Sequence, residues 1–114
     1  MAYKKILIPV DGSAYSDEAI AEGIELAKLA DSEVTLLYVS DRPAYVQMAV
    51  GVDLEEIDRV LKEESDRVLG DALVKAGMPC ETLAVDGNPG RTISELSKDY
   101  DLIVMGTAGR TGIR

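Results

Sequence analysis

Lys4-Lys5-Ile6-Leu7-Ile8-Pro9-Val10-Asp11-Gly12-Ser13, near the start of this 114-residue chain, decides the fold class. Its apolar core, from Ile6 to Val10, does not alternate with polar residues and carries β-branched side chains. A continuous run of that kind suits a strand covered on both faces, as in a parallel sheet. Pro9 belongs near the strand's end, where a missing N–H interrupts the ladder least. Asp11-Gly12-Ser13 then closes the strand.

Working outward, the residues that follow supply the crossovers a parallel sheet requires. From Ser16 to Ala30 the residues Ala19, Ile20, Gly23, Ile24, Ala27 and Ala30 recur at three and four, which predicts an amphipathic helix capped by Ser13 or Ser16. Glu33 to Val39 reads as a second buried strand, ended by Ser40-Asp41-Arg42-Pro43. Ala44 to Val52 shows no period and is expected to be a loop. Asp53-Leu54-Glu55-Glu56 resembles a capping box for a helix running toward Ala76, with Gly77 placed to end it in a left-handed turn. On its polar face Glu55 and Arg59, Asp58 and Lys62, and Glu63 and Arg67 stand at i,i+4, so that face is expected to be solvated ion pairs.

Cys80 to Val85 is more polar and partly alternating, which predicts a third strand nearer a sheet edge. Asn88 as N-cap and Pro89 at the first helical position start a short helix through Ile93 and Leu96. Leu102 to Met105 is the fourth strand. The order β-α-β-α-β-α-β with right-handed crossovers makes an α/β fold, a doubly wound parallel sheet, in one domain spanning 1–114. Ligands of such sheets bind outside the carboxyl ends of the strands, where the strand order reverses. Strand one ends at Pro9-Val10-Asp11, strand two at Val39-Ser40-Asp41 and strand four at Met105-Gly106, so one crevice is expected to gather all three.

Composition narrows the function. With 21 acidic against 12 basic residues the formal charge is −9, which opposes general nucleic-acid binding while leaving room for a local anion pocket. No run of eighteen apolar residues is present and Met1 to Lys5 has no signal-peptide character, so the expectation is a cytoplasmic protein without a membrane partner. The absence of histidine excludes the usual zinc sets and histidine-based triads, and the single Cys80 reads as a small, partly buried thiol.

The fourth strand empties into Gly106-Thr107-Ala108-Gly109-Arg110-Thr111-Gly112, whose glycines let backbone N–H groups converge on phosphate oxygens. A glycine-rich surface turn is the plainer reading. Its spacing matches neither the P-loop nor the dinucleotide fingerprint. An RNA-clamping KH loop joins helices, whereas a strand precedes this one. Arg110 offers a charge to a phosphate and Thr107 and Thr111 offer hydroxyls. Asp11 reads as a sugar or base partner, a metal ligand, a phospho-acceptor or simply a helix cap.

Four stretches in order, Lys4 to Ser13, Leu36-Leu37-Tyr38-Val39, Gly87-Asn88-Pro89 and Asp101 to Gly112, together resemble the universal stress protein family across essentially the whole chain. The resemblance implies a Rossmann-like fold of the adenine nucleotide alpha hydrolase type that binds ATP or a related adenine nucleotide, with or without Mg, in a stress-response regulator with at most slow hydrolysis. It also implies a homodimer in the full-length protein. Carried onto this chain, the site is Pro9, Asp11, Val39 and Met105, followed by Gly106, Thr107, Ala108, Gly109, Arg110, Thr111 and Gly112. Ala108 stands where many members carry histidine. The family's pattern, Gly-x-x-Gly, continues with a third glycine followed by Ser or Thr, and with a fifth strand. Arg114 precedes both, so the expectation is a four-stranded, C-terminally truncated domain. Two other readings remain: a nucleotide-free dimerisation module of the same family, and a receiver-like domain phosphorylated on Asp11.

Overall fold

The computed structural model describes residues 3–106. Four parallel strands, β1 (Lys5–Pro9), β2 (Glu33–Ser40), β3 (Glu81–Asp86) and β4 (Leu102–Ile103), lie in the order β3-β2-β1-β4. The helices are α1 (Ala14–Ala30), α2 (Arg42–Met48), α3 (Leu54–Ala76) and α4 (Pro89–Leu96), the last running into a single 3₁₀ turn at Ser97–Asp99. The strand order reverses once β3 is complete, because β4 returns to the far side of β1.

The two faces of β1 and β2 are both covered, as their unbroken apolar runs require. Ile6, Ile8, Val34 and Leu36 pack into one core with Ile20, Ile24 and Ala27 of α1 and Val68, Leu69 and Ala72 of α3. Leu7 and Leu37 alternate to the opposite face and are also fully buried, with α4 packed on that side of β2. α1 and α3 therefore share one face, where they touch, and α4 takes the other.

Local chemistry sets the helix ends. The Ser13 hydroxyl accepts from Ser16 N at 3.3 Å, so α1 begins at Ala14, two residues earlier than its apolar period predicts. Asp31 closes it in the left-handed conformation at φ 55°. Gly23 sits where α1 crosses β1, since a Cβ there would lie 2.5 Å from Ile8 Cδ1. Gly77 ends α3 at φ 67°, as expected. Asp53 caps α3 through Glu55 N at 3.3 Å, whereas Glu56 pairs with Arg59 instead of completing a capping box.

Three other expectations change. The stretch read as a loop from Ala44 contains most of α2, which Asp41 caps through Ala44 N at 3.3 Å and which has Pro43 in its first turn. α2 buries no side chain, so it leaves no apolar period to read. The ion pairs on α3 also differ: Arg59 pairs with Glu56 and Glu63, Lys62 with Asp66, and Arg67 with Glu64, while Asp58 turns to Arg42 of α2 at 2.7 Å. Each cation has acids within a turn on both sides, and spacing alone does not choose between them. Finally, β4 pairs with β1 only at Leu102 and Ile103, extended by one bond from Val104 N to Leu7 O at 3.0 Å.

β3 does lie at the sheet edge. Cys80 just before it is half-buried against the core, and burial pushes its thiol pKa up, consistent with an inert packing thiol. No helix among the described residues is long and apolar enough to cross a membrane.

Candidate functional site

At the carboxyl end of the sheet lies a crevice of about 240 Å³. The strand ends contribute Pro9, Val10, Leu37 and Val39, an apolar floor. Asp11, Ser13, Tyr15 and Ser16 come from the turn into α1 and its first residues. Met105 and Gly106 follow β4, and Pro89 and Ile93 come from α4 on the other face of the sheet. The crevice thus straddles the place where strand order reverses.

Asp11 supplies the charge. One carboxylate oxygen accepts from Ser13 N at 2.9 Å. The Ser13 hydroxyl beside the carboxylate is the main cause of a pKa held below the ordinary 3.8, with the Ser16 hydroxyl adding to the effect, and partial burial opposing it. The side chain is exposed and presents an ionised acceptor at the crevice wall. Ser13, not Asp11, is the residue that caps α1, so the capping account of Asp11 is replaced by a turn-bracing one.

Gly106 lies against the first turn of α1. A Cβ at this position would overlap the Tyr15 carbonyl and stand 2.8 Å from Tyr15 Cβ. Glycine is therefore required by close backbone approach.

Of the residues expected in the site, Pro9, Asp11, Val39, Met105 and Gly106 meet in this crevice. Thr107, Ala108, Gly109, Arg110, Thr111 and Gly112 lie outside the described residues. Ser40 and Asp41 do not join it: Asp41 caps α2, and Ser40 is buried beside a separate groove. That groove, about 570 Å³, runs between α3 and the ends of β2 and β3. Its cations are already paired, Arg42 with Asp58 at 2.7 Å and Lys62 with Asp66 at 3.1 Å, which leaves it the weaker candidate despite its size. Tyr15, Pro89 and Ile93 line the crevice without having been expected in the site: the sequence marks Pro89 and Ile93 only as parts of a helix, and no spacing rule links α1, α4 and β1 before the topology is known.

The family profile described as the universal stress protein family matches residues 2–114. The chain belongs to the universal stress protein family. Universal stress protein MJ0531 of Methanocaldococcus jannaschii is 40% identical over 97% of this chain and 68% of its own length. A crystal structure of a universal stress protein family member from Burkholderia pseudomallei is 27% identical, covers 93% of this chain and 83% of its own, and superposes with a TM-score of 0.73. A universal stress protein solved in complex with cAMP shares the fold at a TM-score of 0.63 and 23% identity, covering 99% of this chain and 80% of its own.

Proposed function

We propose that this universal stress protein domain, a single unit over 1–114, binds ATP or a related adenine nucleotide in the crevice and acts as a regulatory rather than a catalytic module. The observation that carries the reading is the convergence of Pro9, Asp11, Val39, Met105 and Gly106, from three separate strand ends, on one crevice. The chemistry fits a nucleoside. Pro9, Leu37, Val39 and Ile93 offer apolar surface to a base, and the ionised Asp11 accepts from ribose hydroxyls or an amino group. The cAMP complex of a protein with this fold is in keeping with an adenine ligand.

The phosphates would continue toward the glycine stretch from Gly106 to Gly112. Mg would enter with the nucleotide, held chiefly by its phosphate oxygens. Hydrolysis is slow at most. The chain has no histidine, and a carboxylate with a lowered pKa such as Asp11 is a weak general base. The full-length protein acts in the cytoplasm as a homodimer.

Equilibrium titration with labelled ATP, together with mass spectrometry of nucleotide released on denaturation, tests the reading. Saturable binding that is lost in Asp11→Ala is expected. Absence of saturable binding by the full-length protein refutes it in favour of a nucleotide-free module. A hydroxylamine-labile phosphate on Asp11 after incubation with acetyl phosphate would favour the receiver-like reading instead.

A further inference from the structure

β3 is the edge of the sheet on the side away from β4, and among the described residues its one strand partner is β2. Gly87 N donates to Ser40 O at 2.8 Å. In a parallel ladder alternate residues turn both backbone groups to the same neighbour, so Glu81, Leu83 and Val85 face β2 as Gly87 does. The N–H and C=O of Thr82, Ala84 and Asp86 then point out of the sheet. No backbone group among the described residues pairs with them. The strand also lacks the features that commonly close an edge along its length: it has no proline, no lysine, and an unbroken register with β2 from Glu81 to Asp86 that leaves no bulge. Thr82, Ala84 and Asp86 are exposed, and their register with Leu36, Tyr38 and Ser40 puts their short side chains on the face of the sheet that α3 covers. Beside them runs the groove of about 570 Å³, walled by Leu61, Lys62 and Ser65 of α3. A strand laid along β3 would pair its backbone with the open edge and place alternate side chains in that groove.

Charge selects the occupant. Glu81 and Asp86 stand at the two ends of β3, and the cations of the groove, Arg42 and Lys62, are taken by Asp58 and Asp66. A second copy in antiparallel register would set Glu81 opposite Asp86 at both ends, and a parallel copy would set each acid beside its twin. Like charges directly opposite destabilise a strand pair, and a net charge of −9 adds repulsion between whole copies. A basic strand has the reverse balance. We propose that the β3 edge and the groove beside it dock an extended segment of another protein, added to the sheet as a further strand with a basic residue at each end, one meeting Glu81 and the other Asp86. Glu81 and Asp86 lie five residues apart and so on opposite faces of the sheet, and the two basic residues of the added strand, with the same separation, do likewise.

Fluorescence anisotropy with a labelled hexapeptide of alternating valine and threonine, ended on both sides by lysine, tests the proposal. Saturable binding that weakens as salt is raised is expected. The same peptide ended by glutamate should not bind, and the lysine-ended peptide with N-methylated backbone amides should bind about tenfold or more weakly, because it cannot pair with an edge. Ala84→Pro removes an outward N–H without touching the ladder to β2, a change that an edge strand tolerates, and it should abolish binding while the circular dichroism spectrum stays that of the wild type. Should that variant fail to fold, the double variant Glu81→Lys, Asp86→Lys carries the test, since both side chains are exposed. It should bind the glutamate-ended peptide and reject the lysine-ended one. No saturable binding by the wild type, undiminished binding of the N-methylated peptide, or an unchanged preference in the double variant overturns the proposal. A smaller oligomer for Ala84→Pro than for the wild type in sedimentation velocity would assign the edge to a second copy and overturn it as well.

Discussion

Replacing Gly106 by alanine tests the steric account of the crevice most directly. The added Cβ would overlap the Tyr15 carbonyl and sit 2.8 Å from Tyr15 Cβ. Both obstacles belong to the first turn of a helix whose next turns are buried, so neither can swing aside as a flexible side-chain tip would. Forcing extra volume against backbone costs about 1–3 kcal/mol. Alanine returns about 0.4–1 kcal/mol by narrowing the unfolded ensemble. The net is a loss of up to about 2.6 kcal/mol, with a midpoint of about 1.3 kcal/mol. For 114 residues the unfolding entropy is about 0.24 kcal/mol/K, so the melting temperature should fall by about 5 °C at that midpoint. Gly70→Ala is the matched control. Gly70 lies inside α3 with open space where a Cβ would go, and the substitution should stabilise by about 0.5–1 kcal/mol, raising the melting temperature by about 2–4 °C. Thermal unfolding followed by circular dichroism resolves shifts of this size and opposite sign. A Gly106→Ala variant that melts at or above the wild type would refute the close-approach argument.

Three further outcomes are expected. Asp11 has a lowered folded pKa, so its stabilising contribution is complete above the ordinary carboxylate value of 3.8 and disappears as pH falls through the lower folded value. Asp11→Asn should therefore flatten the acid limb of the stability curve measured by urea unfolding, and an identical limb in the two proteins would count against the turn-bracing role. Leu36→Ala removes a side chain with 0% exposure at the centre of the sheet and should cost about 2–5 kcal/mol in denaturant titration; a cost below about 1 kcal/mol would place Leu36 outside the packed core. Asn88→Ala loses the acceptor for Arg91 N at 3.0 Å and should cost about 1 kcal/mol by the same measurement, with Asn88→Asp restoring most of it.

The parts of this fold that were readable in the sequence are those where one residue type has one physical use. The unbroken run from Ile6 to Val10 demanded cover on two faces, and Leu7 and Ile8 are both fully buried from opposite sides. Asn88-Pro89 and Gly77 marked helix ends that the structure reproduces. α2 was not readable, because a helix that buries nothing is held by its cap and by an ion pair from Arg42 to Asp58, and neither leaves a periodic trace. The crevice was half readable. Strand ends can be placed together once a parallel sheet is inferred, which brought in Pro9, Asp11, Val39, Met105 and Gly106. Tyr15 and Ile93 depend on which face each crossover helix takes, and that becomes available only with the strand order.

Gly106 is required by the structure for a reason that its place in the sequence does not show. In the sequence it opens a glycine series suited to holding an anion, and that chemistry alone would allow β4 to end wherever a phosphate required. In the structure four contacts already fix β4 at both ends. The Asp101 carboxylate accepts from Lys4 N and Lys5 N at 2.9 and 3.0 Å, Val104 N bonds Leu7 O at 3.0 Å, and Gly106 presses on the backbone of Tyr15. A strand with only two register pairs is thereby positioned along its length by β1 and by α1. The wall of the crevice that carries Met105 and Gly106 is consequently set before any ligand arrives, and the requirement for glycine at 106 follows from packing whether or not a phosphate is ever bound there.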